Sequence, residues 1–336
     1  MSRGKLLFVC LSLIIVGLLF FSSGTAFAQG KHSLQKAREG LEQKLAGVSG
    51  FAGIAHSEEE GAIIVFLENE RAKGRVPDSF DGFAVRKQVT GRFNALGTQV
   101  IEAIAPSLPN QVGRKEPVRP LVGGISLSAY IGVIYAGTLG MVTYDDKILS
   151  NAHVIAMNPN TAQFLKLGTP VIQPGSIDGG TLANRVGALN KYISIRFGYS
   201  GLFRPNYADA AIATIDNGVL KSSGSQFNEA GNYQVSGTTT VIKDDLVRKS
   251  GRTTGVTENT VASTNASVIV YYTSNKWAYY TDQIIVNQPF IQAGDSGSCV
   301  DKGGKFVGLA FAGSNTQAVV CKASRLIPAL GIYVGP

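Results

Sequence analysis

Phe290-Ile291-Gln292-Ala293-Gly294-Asp295-Ser296-Gly297-Ser298 is the stretch on which the reading of this chain turns. A serine stands after Gly-Asp and before Gly, at the end of a strand-like run from Gln283 to Phe290. Serine at its ordinary pKa is a weak nucleophile. It needs a base for its proton and donors for the oxyanion that forms on attack. A glycine two residues ahead of the serine permits a tight turn that gathers backbone N–H groups into one small space. The N–H groups of Gly294 and Ser296 are therefore candidates for an oxyanion hole. Asp295, between them, is a candidate anchor of the turn through an ion pair. Read alone, Gly-Asp-Ser-Gly is equally an ordinary polar turn, and a matching base upstream decides between the two.

The chain has three histidines, His32, His56 and His153. His56 sits beside Ser57-Glu58-Glu59-Glu60, which reads as a solvated acidic loop rather than a metal site. His153 follows the strand-like run Lys147-Ile148-Leu149-Ser150 and is the single histidine of the glycine-rich stretch that starts at Gly123. A third group, a carboxylate, has to hold the imidazole in the right tautomer. Asp209 is an isolated acid at the head of the apolar run Ala210-Ala211-Ile212-Ala213. It is preferred to Asp216, which precedes Asn217-Gly218 and reads as a turn residue.

Outward from these residues the pattern is β-rich. Ile131–Tyr135, Gly140–Tyr144, Val268–Tyr272, Gln283–Val286 and Phe306–Phe311 are short strand-like runs parted by Gly, Asn or Asp. Such spacing argues a closed all-β architecture of one or two barrels. Near the C-terminus a short helix over Ser324–Leu330 is interrupted by Pro328. The N-terminal part differs. Leu34, Ala37, Leu41 and Leu45 fall on one helical face. Strands are expected over Ala62–Leu67 and Phe83–Val89, and a second helix over 92–104. Residues 29–105 thus read as a small α/β accessory or pro-domain. Residues 106–122, with Pro106, Pro109, Pro117 and Pro120 among Arg114, Lys115 and Arg119, read as a Pro-rich basic linker open to processing.

Residues 1–28 carry a basic start at Arg3 and Lys5, an apolar run of 16 residues from Leu6 to Phe21, and Ala26-Phe27-Ala28. This is the signature of a cleaved signal peptide. The apolar run is short for a membrane span, which takes about 20 residues, so a membrane is involved only if the leader stays uncleaved. Its removal takes two basic residues and no acid, lowering the formal net charge from +8 to +6. That mild excess, without an aromatic-rich basic stripe, gives no reason to expect nucleic-acid binding. Cys299 and Cys321 survive maturation. An even pair in an exported protein suggests one disulfide, with two buried thiols as the other possibility. No clustered metal-ligand spacing is present.

The order His153, Asp209, Ser296 resembles the chymotrypsin-like (trypsin-like) serine peptidases, over roughly residues 123–336. Ala136-Gly137-Thr138-Leu139-Gly140 ahead of Leu149-Ser150-Asn151-Ala152-His153 looks like the strand pair leading to the family's histidine. Phe306 to Ser314 looks like the strand lining the substrate cleft. Lys249-Ser250-Gly251-Arg252-Thr253-Thr254-Gly255 is similar to a segment of secreted bacterial members such as α-lytic protease. The resemblance implies a double six-stranded β-barrel behind the α/β N-terminal domain, and a secreted or periplasmic serine endopeptidase needing no metal or organic cofactor. It implies a monomer acting on protein or peptide substrates through an acyl-enzyme. Ser296 would be the nucleophile, His153 the base and Asp209 its orienter, with Gly294 and Ser296 forming the oxyanion hole. By position Lys249 is the expected ion-pair partner of Asp295. Phe290 falls near the floor of the specificity pocket, while Phe311, Ala312 and Gly313 line the cleft. No acid stands at 290, so a preference for Arg or Lys is not implied. Phe311 stands where a serine often supports the triad aspartate, which leaves the support of Asp209 open. A non-catalytic binding protein on the same scaffold and an esterase with the same triad are the competing readings. Residues 29–105 read as a folding aid, an inhibitor or a substrate-recruiting domain.

Overall fold

The computed structural model describes residues 33–95, 113–198 and 204–336. The leader at 1–28 and residues 106–112 of the expected linker lie outside these. Strands Ser126–Ala129, Pro170–Ile172, Arg185–Tyr192, Ala211–Ile215 and Lys147–Ser150 pair in that order. The segment 137–142 closes this ring, pairing with Ser126–Ala129 at its start and with Lys147–Ser150 at its end. A second ring runs Leu246–Gly251, Cys299–Lys302, Lys305–Gly313, Gln317–Lys322, Trp277–Asn287 and Gly255–Tyr271, the last pairing back to the first. The closed all-β architecture argued from the turn spacing is thus observed, as the double barrel that the resemblance implies. Closure removes strand edges, and alternate side chains fill the inside. Val247, Val261, Ile284, Val286, Val300, Val307 and Val320 form the interior of the second barrel. Each such buried side chain contributes about 1.5–3 kcal/mol of transfer free energy.

The N-terminal unit is not a free-standing domain. Its helix over 33–45 buries Leu34, Ala37, Leu41 and Leu45 as their spacing predicts. They pack on Phe51, Ile54, Ile63, Val65 and Leu67. Its strand Phe51–Ser57 pairs with barrel strand Gly255–Tyr271, Gly53 opposite Val268. A side chain at Gly53 would meet the Ser267 carbonyl at 2.4 Å, so only glycine permits this approach. Ala62–Leu67 and Phe83–Val89 extend the same sheet, which therefore runs unbroken from the barrel into the N-terminal unit. His56, expected in a solvated loop, lies in the strand Phe51–Ser57, buried beside Asn265.

Several expectations are corrected. Phe93–Ala95 is a strand, not the start of a helix. Ile131–Tyr135 is a loop. The last helix, Ala323–Leu330, continues through Pro328 and ends at Gly331 with φ +73°. Residues 113–122 are no extended linker: Leu121–Gly123 is a strand beside Lys221–Gln226. Arg114 is fully buried, its Nε 2.6 Å from Glu229 Oε1. Its Nη atoms donate to the carbonyls of Gly124 and Phe227 and to Ser250 Oγ. A guanidinium has five donors, and this one spends them inside the fold. Among the described residues no helix is long and apolar enough to cross a membrane.

The expected disulfide is also absent. Cys299 and Cys321 both stand opposite Leu309, on the two strands that flank it. Neighbouring strands lie about 4.8 Å apart, which sets these cysteines roughly 10 Å apart, beyond the ~7 Å reach of a bridge between Cα atoms. Both are free and buried, and burial pushes the Cys321 thiol up to about 12. A chain cut after Ala28 and unfolded without reductant is expected to titrate two thiols with a disulfide-exchange reagent; none would restore the bridge.

Candidate active site

Strand pairing brings the histidine and aspartate together. Lys147–Ser150 and Ala211–Ile215 are antiparallel neighbours with Ser150 opposite Ala211. The residues just after Ser150 and just before Ala211 therefore leave the same end of the first barrel. There the chain makes a single helical turn, Ala152–Ile155, that carries His153. Asn151 Nδ2 ties this turn to the Asp209 carbonyl at 2.6 Å. His153 Nδ1 lies 2.7 Å from Asp209 Oδ2, and the His153 N–H donates to Asp209 Oδ1 at 3.2 Å. A carboxylate only accepts, so the ring proton sits on Nδ1 and Nε2 is left as the basic atom. Among the described residues, buried His153 Nε2 has no hydrogen-bond partner.

Asp209 has no exposed surface. Burial is the largest single influence on its carboxyl and pushes the pKa up. The charge and ring donor of His153, the Tyr272 hydroxyl and the His153 N–H outweigh it, so the group ends below its ordinary range. Phe311 offers no hydroxyl here; the extra donor is Tyr272, its Oη 2.7 Å from Asp209 Oδ2. Sequence reasoning missed this residue, because nothing in Val268 to Tyr272 distinguishes one tyrosine hydroxyl from another.

The serine turn is built by backbone conformation and Thr138. Gly294 and Gly297 have φ of +93° and +96°, in the left-handed region that glycine enters without strain. A side chain at Gly297 would also meet the Thr138 carbonyl at 2.3 Å. Thr138 Oγ1 donates to the Gly294 carbonyl and the Thr138 N–H to the Ser296 carbonyl, both at 2.8 Å. Among the described residues neither the Gly294 nor the Ser296 N–H has a protein acceptor. Ser296 has no exposed surface, and its Oγ donates to the Phe311 carbonyl at 3.2 Å.

Asp295 is wholly buried. Its Oδ1 accepts from the N–H groups of Thr253 and Thr254, and its Oδ2 from the Gln292 N–H and Thr254 Oγ1. Lys249 Nζ, also wholly buried, lies 3.5 Å from Asp295 Oδ2. Arg252 turns the other way and forms a two-pronged pair with Asp178. Lysine 249, not the arginine of the Gly-Arg-Thr-Thr-Gly segment, thus faces Asp295.

Of the expected cleft residues, Phe290 is 1% exposed in the second barrel's interior, a core side chain rather than a pocket floor. Ala312 and Gly313 are paired with Ala95 and Asn94 in antiparallel register. The strand Phe93–Ala95 is held on its other side by Val270 and Tyr271. A cavity of about 340 Å³ opens beside it, lined by Arg92, Asn94, His153, Met157, Tyr272 and Ala293. A larger one, about 660 Å³, is lined by none of His153, Asp209 and Ser296 and lies between Thr238, Asp282 and Arg325. Among the described residues no group of three or more His, Cys, Asp or Glu is placed to hold a metal ion.

No protein-family model matches the chain, and no curated protein matches it. Solved structures do. A Cellulomonas bogoriensis chymotrypsin aligns at 19% identity and a TM-score of 0.45, covering 63% of this chain and 97% of its own. Thermobifida fusca protease A aligns at 17% and 0.45, covering 64% and 97%. A Nocardiopsis protease aligns at 17% and 0.45, covering 64% and 98%. At such scores the likeness stays a likeness, and the barrels described here rest on their own strand pairing. The solved structures that this chain resembles are bacterial proteases of the chymotrypsin kind.

Proposed function

We propose that the chain is an exported serine endopeptidase, held inactive by its own N-terminal unit. The observation that carries this is the buried His153–Asp209 pair at 2.7 Å, with His153 lining one cavity together with Ala293, the residue that leads into the glycine-built serine turn. In the reaction Ser296 Oγ leaves the Phe311 carbonyl by rotation about χ1, gives its proton to His153 Nε2 and attacks the substrate carbonyl. The Gly294 and Ser296 N–H groups receive the oxyanion, one such donor being worth roughly 3 kcal/mol of barrier. His153 then protonates the leaving amine, and water releases the acyl group from Ser296. Asp209 keeps Nδ1 protonated and stabilises the cation.

The substrate would be an extended peptide adding as a strand to Ala312–Gly313, the mode in which main-chain pairing supplies affinity. Asn94 and Ala95 already hold that edge, which favours an inhibitory role for the N-terminal unit. A fluorophosphonate tests the chemistry once Phe93→Asp has released the occupied edge: labelling at Ser296 supports it, and no labelling of that folded variant favours the non-catalytic reading. Hydrolysis of p-nitrophenyl esters without cleavage of casein would make the protein an esterase.

The inhibitory role makes a separate prediction. Phe93 is wholly buried, edge-on to Phe66 at 6.2 Å. Phe93→Asp would bury an unpaired carboxylate and drive the strand out. The expected result is a rise of about tenfold or more in kcat/KM for a peptide substrate. An unchanged value would leave the N-terminal unit without this role.

A further inference from the structure

Asp209 Oδ2 receives two donors, His153 Nδ1 and Tyr272 Oη, each at 2.7 Å. Behind Tyr272, its hydroxyl is bonded to that of Tyr280, which is wholly buried. A phenol carries one proton. Tyr272 gives its proton to the carboxylate, so the bond between the phenols is donated by Tyr280. The chain of donors has a fixed direction: Tyr280 to Tyr272 to Asp209. Burial, with the Asp209 charge next, pushes both phenols well above the usual tyrosine value, which keeps these protons in place.

The rings are fixed as well. Tyr272 stands edge-on to the His153 ring at 5.9 Å and 78°, and to Phe197 at 5.4 Å and 86°. Tyr280 packs against Phe311 at 4.8 Å. Both tyrosines belong to one hairpin of the second barrel: Tyr280 lies on Trp277–Asn287, and the Tyr272 N–H closes the turn on the Lys276 carbonyl at 2.8 Å. His153 and Asp209 come from the first barrel. The hydroxyl pair therefore reaches across from the second barrel to the acid of the first.

We propose that Tyr272, backed by Tyr280, is the positioning residue that orients the Asp209 carboxylate and, through it, His153. This rests on the serine-peptidase reading, with Tyr272 touching the acid and not the reacting atoms. The other titratable groups facing Asp209 are His153 and the Cys321 thiol, whose Sγ lies 3.8 Å from the Asp209 carbonyl.

Tyr272→Phe deletes one oxygen and keeps the ring. The first readout needs no turnover: the Nδ1–H proton resonance of His153 in histidine-labelled protein, where the chain contributes three histidines. It is expected to shift and broaden. In kinetics, with Phe93→Asp in both arms, kcat is expected to fall about tenfold, the worth of one hydrogen bond to a buried charge. KM should stay within about twofold. The acid limb of kcat/KM should move to higher pH, because a carboxylate that loses a donor takes up a proton more readily. Tyr280→Phe is expected to act in the same direction, by about threefold. An unchanged resonance with unchanged kcat would overturn the proposal. So would a kcat loss matched by the loss of folded protein, with the acid limb where it was. If the Phe93→Asp protein, with that edge released, neither hydrolyses peptides nor takes a fluorophosphonate, the peptidase reading fails, while the resonance still decides what Tyr272 does to His153.

Discussion

Ser296→Ala is expected to lower kcat by on the order of 10⁶-fold, as loss of a nucleophile does when the rest of a triad has nothing to activate. The fold should hardly notice. Ser296 Oγ makes one hydrogen bond, to the Phe311 carbonyl at 3.2 Å, whose net worth is about 1 kcal/mol. The turn itself is held by backbone: the Gly297 N–H to the Ala310 carbonyl, and the Thr138 N–H to the Ser296 carbonyl. Neither bond involves the side chain. The result to look for is a variant with the native thermal midpoint, no fluorophosphonate label and a residual rate above water alone. That residue of activity, roughly 10³–10⁴-fold over water, comes from the oxyanion donors and substrate binding. The variant is best prepared with Phe93→Asp in both arms, so that an occupied cleft does not hide the loss. Retained hydrolysis in Ser296→Ala would remove Ser296 from the mechanism.

The parts legible in the sequence were those set by short-range rules. The helical face Leu34, Ala37, Leu41, Leu45 follows from period alone and packs as expected. His153 and Asp209 could be singled out because each stands next to an apolar strand run, and the pairing of Ser150 with Ala211 then brings them together. What escaped depends on contacts distant in sequence. Tyr272 and Asp209 are 63 positions apart. Arg114 and Ser250 are 136 apart, and proline-rich surroundings disguised a buried arginine as a linker. The cysteine pair was misjudged because parity carries no strand order: one intervening strand, Lys305–Gly313, separates the two thiols. Phe93–Ala95 was read as helix because its strand partners, Val270 and Ala312, lie some 180 and more residues downstream. Local propensity had no access to them.

Lys249→Met carries the largest expected loss of stability together with a loss of activity. Lys249 and Asp295 are both wholly buried and 3.5 Å apart. Removing one member of such a pair leaves the other charge uncompensated, typically costing 3–5 kcal/mol. Four donors remain on the Asp295 carboxylate, which places the expected loss near the low end, about 3 kcal/mol. That corresponds to a midpoint lower by roughly 6–12 °C. Asp295 sits between Gly294 and Ser296, the proposed oxyanion donors, so kcat should fall as well, by on the order of 10²-fold. Asp295→Asn in the Lys249→Met background removes the stranded charge and should return part of the stability without returning kcat. The pH dependence has a defined sign. Burial, opposed by Asp295 and reinforced by Arg114, pulls the Lys249 ammonium down from 10.5 to about 8. Between those values the folded chain has shed a proton that the unfolded chain retains, so this group's own contribution to stability rises with pH there. Activity is expected to go the other way: above pH 8 Asp295 loses its cation, and the serine turn keeps only the four hydrogen bonds to the Asp295 carboxylate. With Phe93→Asp in both arms, the protein that keeps Lys249 is expected to show an alkaline limb near pH 8 that Lys249→Met lacks. An identical limb in both proteins would detach Lys249 from the turn it faces.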